Sequence, residues 1–151
     1  MGRRMRIPLS EPRLRRKPSA KKFMTNKHLL DRLLHAQQSE LNAALMYLML
    51  AKRSGNQKDS DTFRKIAEDK KKHSDVFRSM TNEKLVPSRA RAAVIAVLLM
   101  IFGRKRLYPV IAFFEYRAHL RYDDLARKYA SVRQVWNEQK KHGDMIVSLV
   151  Y

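Results

Sequence analysis

The chain has no cysteine. Disulfide scaffolds, thiolate zinc sites, cysteine-ligated iron–sulfur clusters and cysteine nucleophiles are therefore excluded from its chemistry. Glycine and proline are scarce, at 4 and 5 residues. That is too few to supply the turn needed roughly every 8–12 residues of an all-β chain, so helices are favoured. Acid is in short supply too: 14 Asp and Glu stand against 33 Lys and Arg, for a formal charge of +19 and a pI near 10.7. What remains is a chain of 151 residues, 44% of them hydrophobic. Its length suits one compact core rather than two, and its apolar content excludes wholesale disorder.

Long hydrophobic runs are also missing. The longest, Ala92 to Gly103 (AAVIAVLLMIFG), falls short of the roughly 20 residues that a membrane-spanning helix needs. It is expected to form a buried helix, although its basic flanks, Arg89, Arg91, Arg104, Lys105 and Arg106, also suit an interfacial segment. Residues 1–27 hold ten Lys and Arg but a single acid, Glu11, so this stretch carries +9 and residues 28–151 carry +10. With Pro8, Pro12 and Pro18 and no apolar period, 1–27 reads as a disordered basic arm. It could act as a solvated extension, as an organellar transit peptide or as an arm contacting nucleic acid or anionic membrane. It offers no apolar stretch for a secretory signal, and a cytoplasmic location is expected.

Residues 28–151 carry four helical stripes. The first helix is expected from Thr25 or Asn26 to Ser54-Gly55, with Leu30, Leu33, Gln37, Glu40, Ala44, Tyr47, Leu48 and Ala51 inward. The second starts near Asp59 or Ser60, places Phe63, Ile66, Lys70, His73, Phe77 and Met80 on one face, and ends before Pro87. A crossover helix follows from Ser88. After an interruption between Gly103 and Pro109 the third helix carries Ile111, Glu115, Ala118, Tyr122 and Leu125. The fourth, from about Ala130, carries Val132, Val135, Gln139, His142 and Ile146. The methionines at 46, 49, 80, 100 and 145 read as core filler, and His28, His35 and His119 as surface or satisfied histidines.

Each stripe thus contains a polar residue where a core would place Leu or Val, and buried charge is costly unless paired or metal-bound. These positions repeat. Glu40, Tyr47 and Ala51 have the spacing of Glu115, Tyr122 and Ala126, and Asp69-Lys70-Lys71-Lys72-His73-Ser74-Asp75 aligns without a gap to Glu138-Gln139-Lys140-Lys141-His142-Gly143-Asp144. A duplicated helical hairpin would set two symmetry-related clusters against each other at the centre of a bundle.

The pattern resembles the ferritin-like superfamily, and within it the rubrerythrin branch, over about residues 28–150. The resemblance implies an all-α, ferritin-like four-helix bundle with a long helical crossover between helices two and three, and a homodimer. It implies iron as cofactor and Glu40, His73, Glu115 and His142 as metal ligands. Two family carboxylates are replaced, by Lys70 and Gln139. Glu40 and Glu115 supply −2 and a charged Lys70 adds +1, so two divalent ions are poorly balanced. Lys70 can instead be an internal cation paired with Glu40 or Glu115, or, less favourably, a neutral amine. Gln139 is at best a weak ligand.

Asp69 and Glu138, each four residues before a histidine, are candidate substitute carboxylates. Helical geometry turns Glu138 towards the rim, about 40° to one side of His142, while Gln139 lies about 60° to the other. One metal ion held by Glu40, Glu115 and one or both histidines is the more credible residual metal state. Tyr47 and Tyr122 would fill the bundle or hydrogen-bond the ligands.

Three functions are compatible with these features. One is a rubrerythrin-like iron protein that oxidises Fe(II) or reduces peroxide, its electrons coming from a partner. Another is a non-catalytic, structural descendant with a compromised metal site. The last is a basic module for nucleic acid or anionic membrane.

Overall fold

The computed structural model describes the backbone from Ala20 and side chains from Asn26, in both cases to Tyr151. The arm expected over 1–27 lies outside the described residues as far as residue 19. Residues 20–27, assigned to it above, are helical instead. Five helices make up the described chain, and no strand occurs among its residues: α1 (Ala20–Arg53), α2 (Gln57–Thr81), α3 (Arg89–Phe102), α4 (Arg104–Lys128) and α5 (Ala130–Val147). No helix among the described residues is long and apolar enough to cross a membrane.

Local signals account for the boundaries. Asn56 caps α2, its side chain accepting from the Asp59 N–H at 2.9 Å, so the helix begins two residues before the expected Asp59. Its end is set by Asn82, which adopts the left-handed conformation (φ 57°) and donates its N–H to the Arg78 carbonyl, a common helix stop. α1 stops at Arg53, and Ser54 donates its hydroxyl to the Leu50 carbonyl at 2.8 Å. The left-handed stop anticipated at Gly55 is not used; among the described glycines only Gly103 has positive φ, at 70°. Gly103 alone separates α3 from α4. The interruption expected to last until Pro109 is thus one residue long, because Pro109 lies early in α4, where only the Lys105 carbonyl forfeits its helical partner.

α1 packs along α2 and α4 along α5. Links of three residues (54–56) and one residue (Tyr129) force each pair to run antiparallel. α2 faces α5, and α3 spans the gap between the hairpins, lying on α1 and on the start of α4. Two apolar clusters form inside. Tyr47, Leu50, Phe63, Ile66, Ile111 and Ile146 belong to one; Leu33, Phe77, Tyr122, Leu125, Val132 and Val135 belong to the other. In each of the four long helices the polar residue of the stripe falls between the two clusters, so a polar belt crosses the middle of an otherwise apolar interior.

Three expected core positions are not core. Leu30 and Leu48 are exposed, as is Met100 at 63%. The largest departure is α3, whose buried residues are only Ala92 and Ala96. Its small side chains face the protein, and Val94, Val97, Met100, Ile101 and Phe102 face outward. Ile95, Leu98 and Leu99 pack partly buried against the first cluster, so α3 is apolar on its covered side and on its outward side alike.

Replacing Asn56 with Ala removes the one side-chain cap of α2 and is expected to lower stability by about 1 kcal/mol, with Asn56→Asp close to neutral. Urea denaturation midpoints check both.

Candidate functional site

The belt brings together Glu40 from α1, Lys70 and His73 from α2, Glu115 from α4, and Gln139 and His142 from α5, all buried. Lys70 is at its centre. Its Nζ donates to Glu115 Oε2 at 2.6 Å and to Gln139 Oε1, and lies 3.4 Å from Glu40 Oε2. Three acceptors from three other helices thus match the three hydrogens of one ammonium.

Contacts across the belt come in pairs that follow the internal repeat. Tyr47 donates to Glu115 Oε1 at 2.6 Å, and its counterpart Tyr122 donates to Glu40 Oε1 at 2.7 Å. Lys70 reaches Glu115 as Gln139 Nε2 reaches Glu40, the latter at 2.7 Å. His73 Nε2 meets Glu138 Oε2 at 2.6 Å, while His142 Nε2 meets Asp69 Oδ2 at 3.2 Å. The two imidazoles face each other with centroids 5.6 Å apart. Besides this ring pair, the Lys70–Gln139 hydrogen bond also joins two counterparts to each other. There the repeat is chemically unequal, one member charged and the other a neutral amide.

Asp69 and Glu138 therefore do not enter the centre of the belt beside Lys70 and Gln139. Each sits at the rim, its side chain 21% and 28% exposed respectively, and holds the histidine of the opposite hairpin. This crosswise pairing was not legible in the spacing, which assigns i and i+4 to one face of one helix and says nothing about the facing helix. A third buried carboxylate, Asp59, was also missed. Asp59 accepts from Tyr108 at 2.8 Å and lies 3.3 Å from Arg104; its only sequence signal was a place near a helix start.

Electrostatics follow from this geometry. Burial pushes the Glu40 carboxyl up, but the Lys70 ammonium, His73 and the Tyr122 hydroxyl outweigh it and hold the pKa down at about 2. Burial pulls Lys70 down, yet Glu115 and Glu40 more than compensate and raise it, so the ammonium form is favoured. Burial likewise lowers His73, and the carboxylates of Glu40 and Glu138 reverse the sign and raise it. An imidazole between two carboxylates satisfies both only by donating from both nitrogens, which is the imidazolium. His142 is lowered, by burial and by Lys70. Its Nδ1 has no hydrogen-bond partner and lies 3.9 Å from Glu115 Oε2. Burial and the carboxylates of Glu115 and Glu40 raise Tyr47 and Tyr122 respectively, well above the ordinary phenol. At the heart of the belt the Lys70 ammonium faces Glu40 and Glu115, and His73, shifted towards its charged form, lies against Glu40.

A metal would have to compete with these pairings. Both oxygens of Glu40 and both of Glu115 are already engaged, and no three His, Asp or Glu among the described residues are grouped to hold an ion. Of the other histidines, His28 and His35 are exposed. His119 stacks on Trp136 and donates Nδ1–H to the Trp136 carbonyl at 2.7 Å.

Removing one member of a buried ion cluster leaves the others uncompensated, so Lys70→Met is expected to cost about 3–5 kcal/mol. Adding Glu40→Gln and Glu115→Gln should recover most of that loss, as measured by urea denaturation. Glu40 also predicts an acid limb. A carboxyl held at about 2 against an ordinary 4.5 stabilises the fold above pH 4.5, and that contribution is lost as pH falls from 4.5 towards 2. His73 and His142 are shifted in opposite directions and oppose each other near their ordinary value, so the acid limb is the main pH signal in denaturation midpoints.

No family model matches the chain, nor does any curated protein or solved structure.

Proposed function

We propose that this chain is a ferritin-like four-helix bundle of rubrerythrin descent in which the Lys70 ammonium has taken the place of the metal ions. The protein is then a metal-independent, non-catalytic scaffold. The observation that carries this reading is the position of Lys70 Nζ, bonded to Glu115 and Gln139 and 3.4 Å from Glu40. In the family pattern, carboxylates at positions 70 and 139 would help hold two irons. Here one of them is a cation and the other a neutral amide bonded to it.

The residues present do not fit a pair of metal ions. An ammonium between the two remaining glutamates repels a divalent ion and occupies its donors. The imidazolium form favoured at His73 offers no lone pair to a metal. Support for the lineage is the two-fold pattern of contacts, Tyr47–Glu115 with Tyr122–Glu40 and His73–Glu138 with His142–Asp69. A duplicated hairpin built around a symmetric site accounts for that pattern, whereas an ordinary core has no need of it. On this reading neither an oxidant nor an electron donor is required.

Anaerobic Fe(II) titration of the purified chain checks the proposal. The wild type is expected to bind no stoichiometric iron, and Lys70→Glu with Gln139→Glu to bind two per chain. Two irons on the wild type would contradict the account of Lys70. One iron would instead place an ion beside the unpartnered His142 Nδ1. A folded double variant that binds none would contradict the lineage.

A further inference from the structure

α3 is apolar on both sides: Ile95, Leu98 and Leu99 pack against the core, and its opposite side is apolar as well. Alanines at 92 and 96 touch the protein, whereas Val94, Val97, Met100 and Ile101 share one outward face and Phe102 ends the helix at 50% exposure. Beyond Gly103 the same composition continues, because Val110, Phe113 and Phe114 are exposed on α4, with Arg117 lying over the Phe113 ring at 5.8 Å. Scattered exposed apolar residues are normal, but a contiguous apolar face on one helix marks contact with something.

The exposed charges that α3 and the chain on either side of it carry have one sign. From Lys84 to Tyr122 the only acid is Glu115, which is buried against Lys70. Every exposed charge in that stretch is a cation: Lys84, Arg89, Arg91, Arg104, Lys105, Arg106, Arg117 and Arg121. Among the described residues, Arg104 alone of these has a carboxylate within ion-pair distance, Asp59. A second copy docking through a two-fold contact would bring the same acid-free face against itself, like charge against like. Nucleic acid would neutralise the cations and leave Ile101 and Phe102 without an apolar partner. An anionic bilayer supplies both, headgroup charge for the Arg and Lys and the acyl boundary for the apolar side chains.

We propose that the outward face of α3 docks on the surface of a membrane containing anionic phospholipid. α3 has 14 residues and spans about 21 Å, short of the ~30 Å hydrocarbon core. It therefore lies in the interface with its apolar side down and does not cross. The inference is independent of whether metal binds at the polar belt.

The experiment uses the full chain and vesicles of phosphatidylcholine with or without phosphatidylglycerol. Flotation with the anionic vesicles only is expected. Ile101→Ser combined with Val97→Ser, which alters no charge, is expected to weaken that binding about tenfold or more. Unchanged binding would show that net charge alone is responsible and would overturn the proposal. So would a dimer in sedimentation that the double variant dissolves, or association with duplex DNA but not with vesicles.

The absence of cysteine permits a second readout in an otherwise unaltered chain. An environment-sensitive dye on Ile101→Cys should shift to the blue with anionic vesicles, and the same dye on exposed Ser79→Cys should not. Equal responses, or none, would contradict docking through α3 even if the serine variants fail to fold.

Discussion

One ammonium group holds the interior together. Lys70 enters from α2 and is met by side chains of α1, α4 and α5, so both hairpins have a member of their own tied to it. Burying a lysine in an apolar interior is prohibitive on its own, and burying Glu40 and Glu115 without a cation is no better. Each makes the others tolerable. The apolar clusters on either side close over the belt because its buried charges are paired, Lys70 with Glu115 and Glu40, and because the tyrosines, Gln139 and the rim acids take up the remaining hydrogen-bonding capacity.

The same constraint explains why the site is symmetric in its contacts and unsymmetric in its charge. Tyrosine to glutamate and histidine to acid each occur twice, once in each direction across the hairpins. At the Lys70–Gln139 contact two lysines would repel each other, and two glutamates would need an external cation. A lysine facing an amide is a combination that the protein can complete from its own atoms, the amide oxygen accepting from the ammonium while the amide nitrogen donates to Glu40. Closure without an added ion is thus a property of this pair of residues.

Helical period and the internal repeat made the four polar stripes legible, and with them the meeting of Glu40, Lys70, His73, Glu115, Gln139 and His142 in one buried belt. The all-helical character follows from the same periodicity. What periodicity cannot convey is the partner on a facing helix, which is why the crosswise roles of Asp69 and Glu138 and the burial of Asp59 against Tyr108 and Arg104 emerged only from the coordinates. α3 was misread for a related reason. Its run of apolar residues is hydrophobic on every side, so composition points to burial and no stripe says which side is covered; the side that carries Ala92, Ile95, Ala96 and Leu99 turns out to be the covered one. The chain therefore combines an interior in which charge is compensated with a face on which neither charge nor apolar area is.

The central claim is that Lys70 is charged where it lies. Nitrogen-15 NMR of the lysine Nζ groups, with the Lys70 resonance assigned by its loss in Lys70→Met, tests it directly. The account predicts a resonance that keeps its ammonium shift as pH rises past the point at which the surface lysines deprotonate, because Glu115 and Glu40 raise its pKa. A Lys70 signal that moves to the amine position below the surface lysines would mean that burial wins. The belt would then hold a neutral amine beside uncompensated carboxylates, and the account would fail.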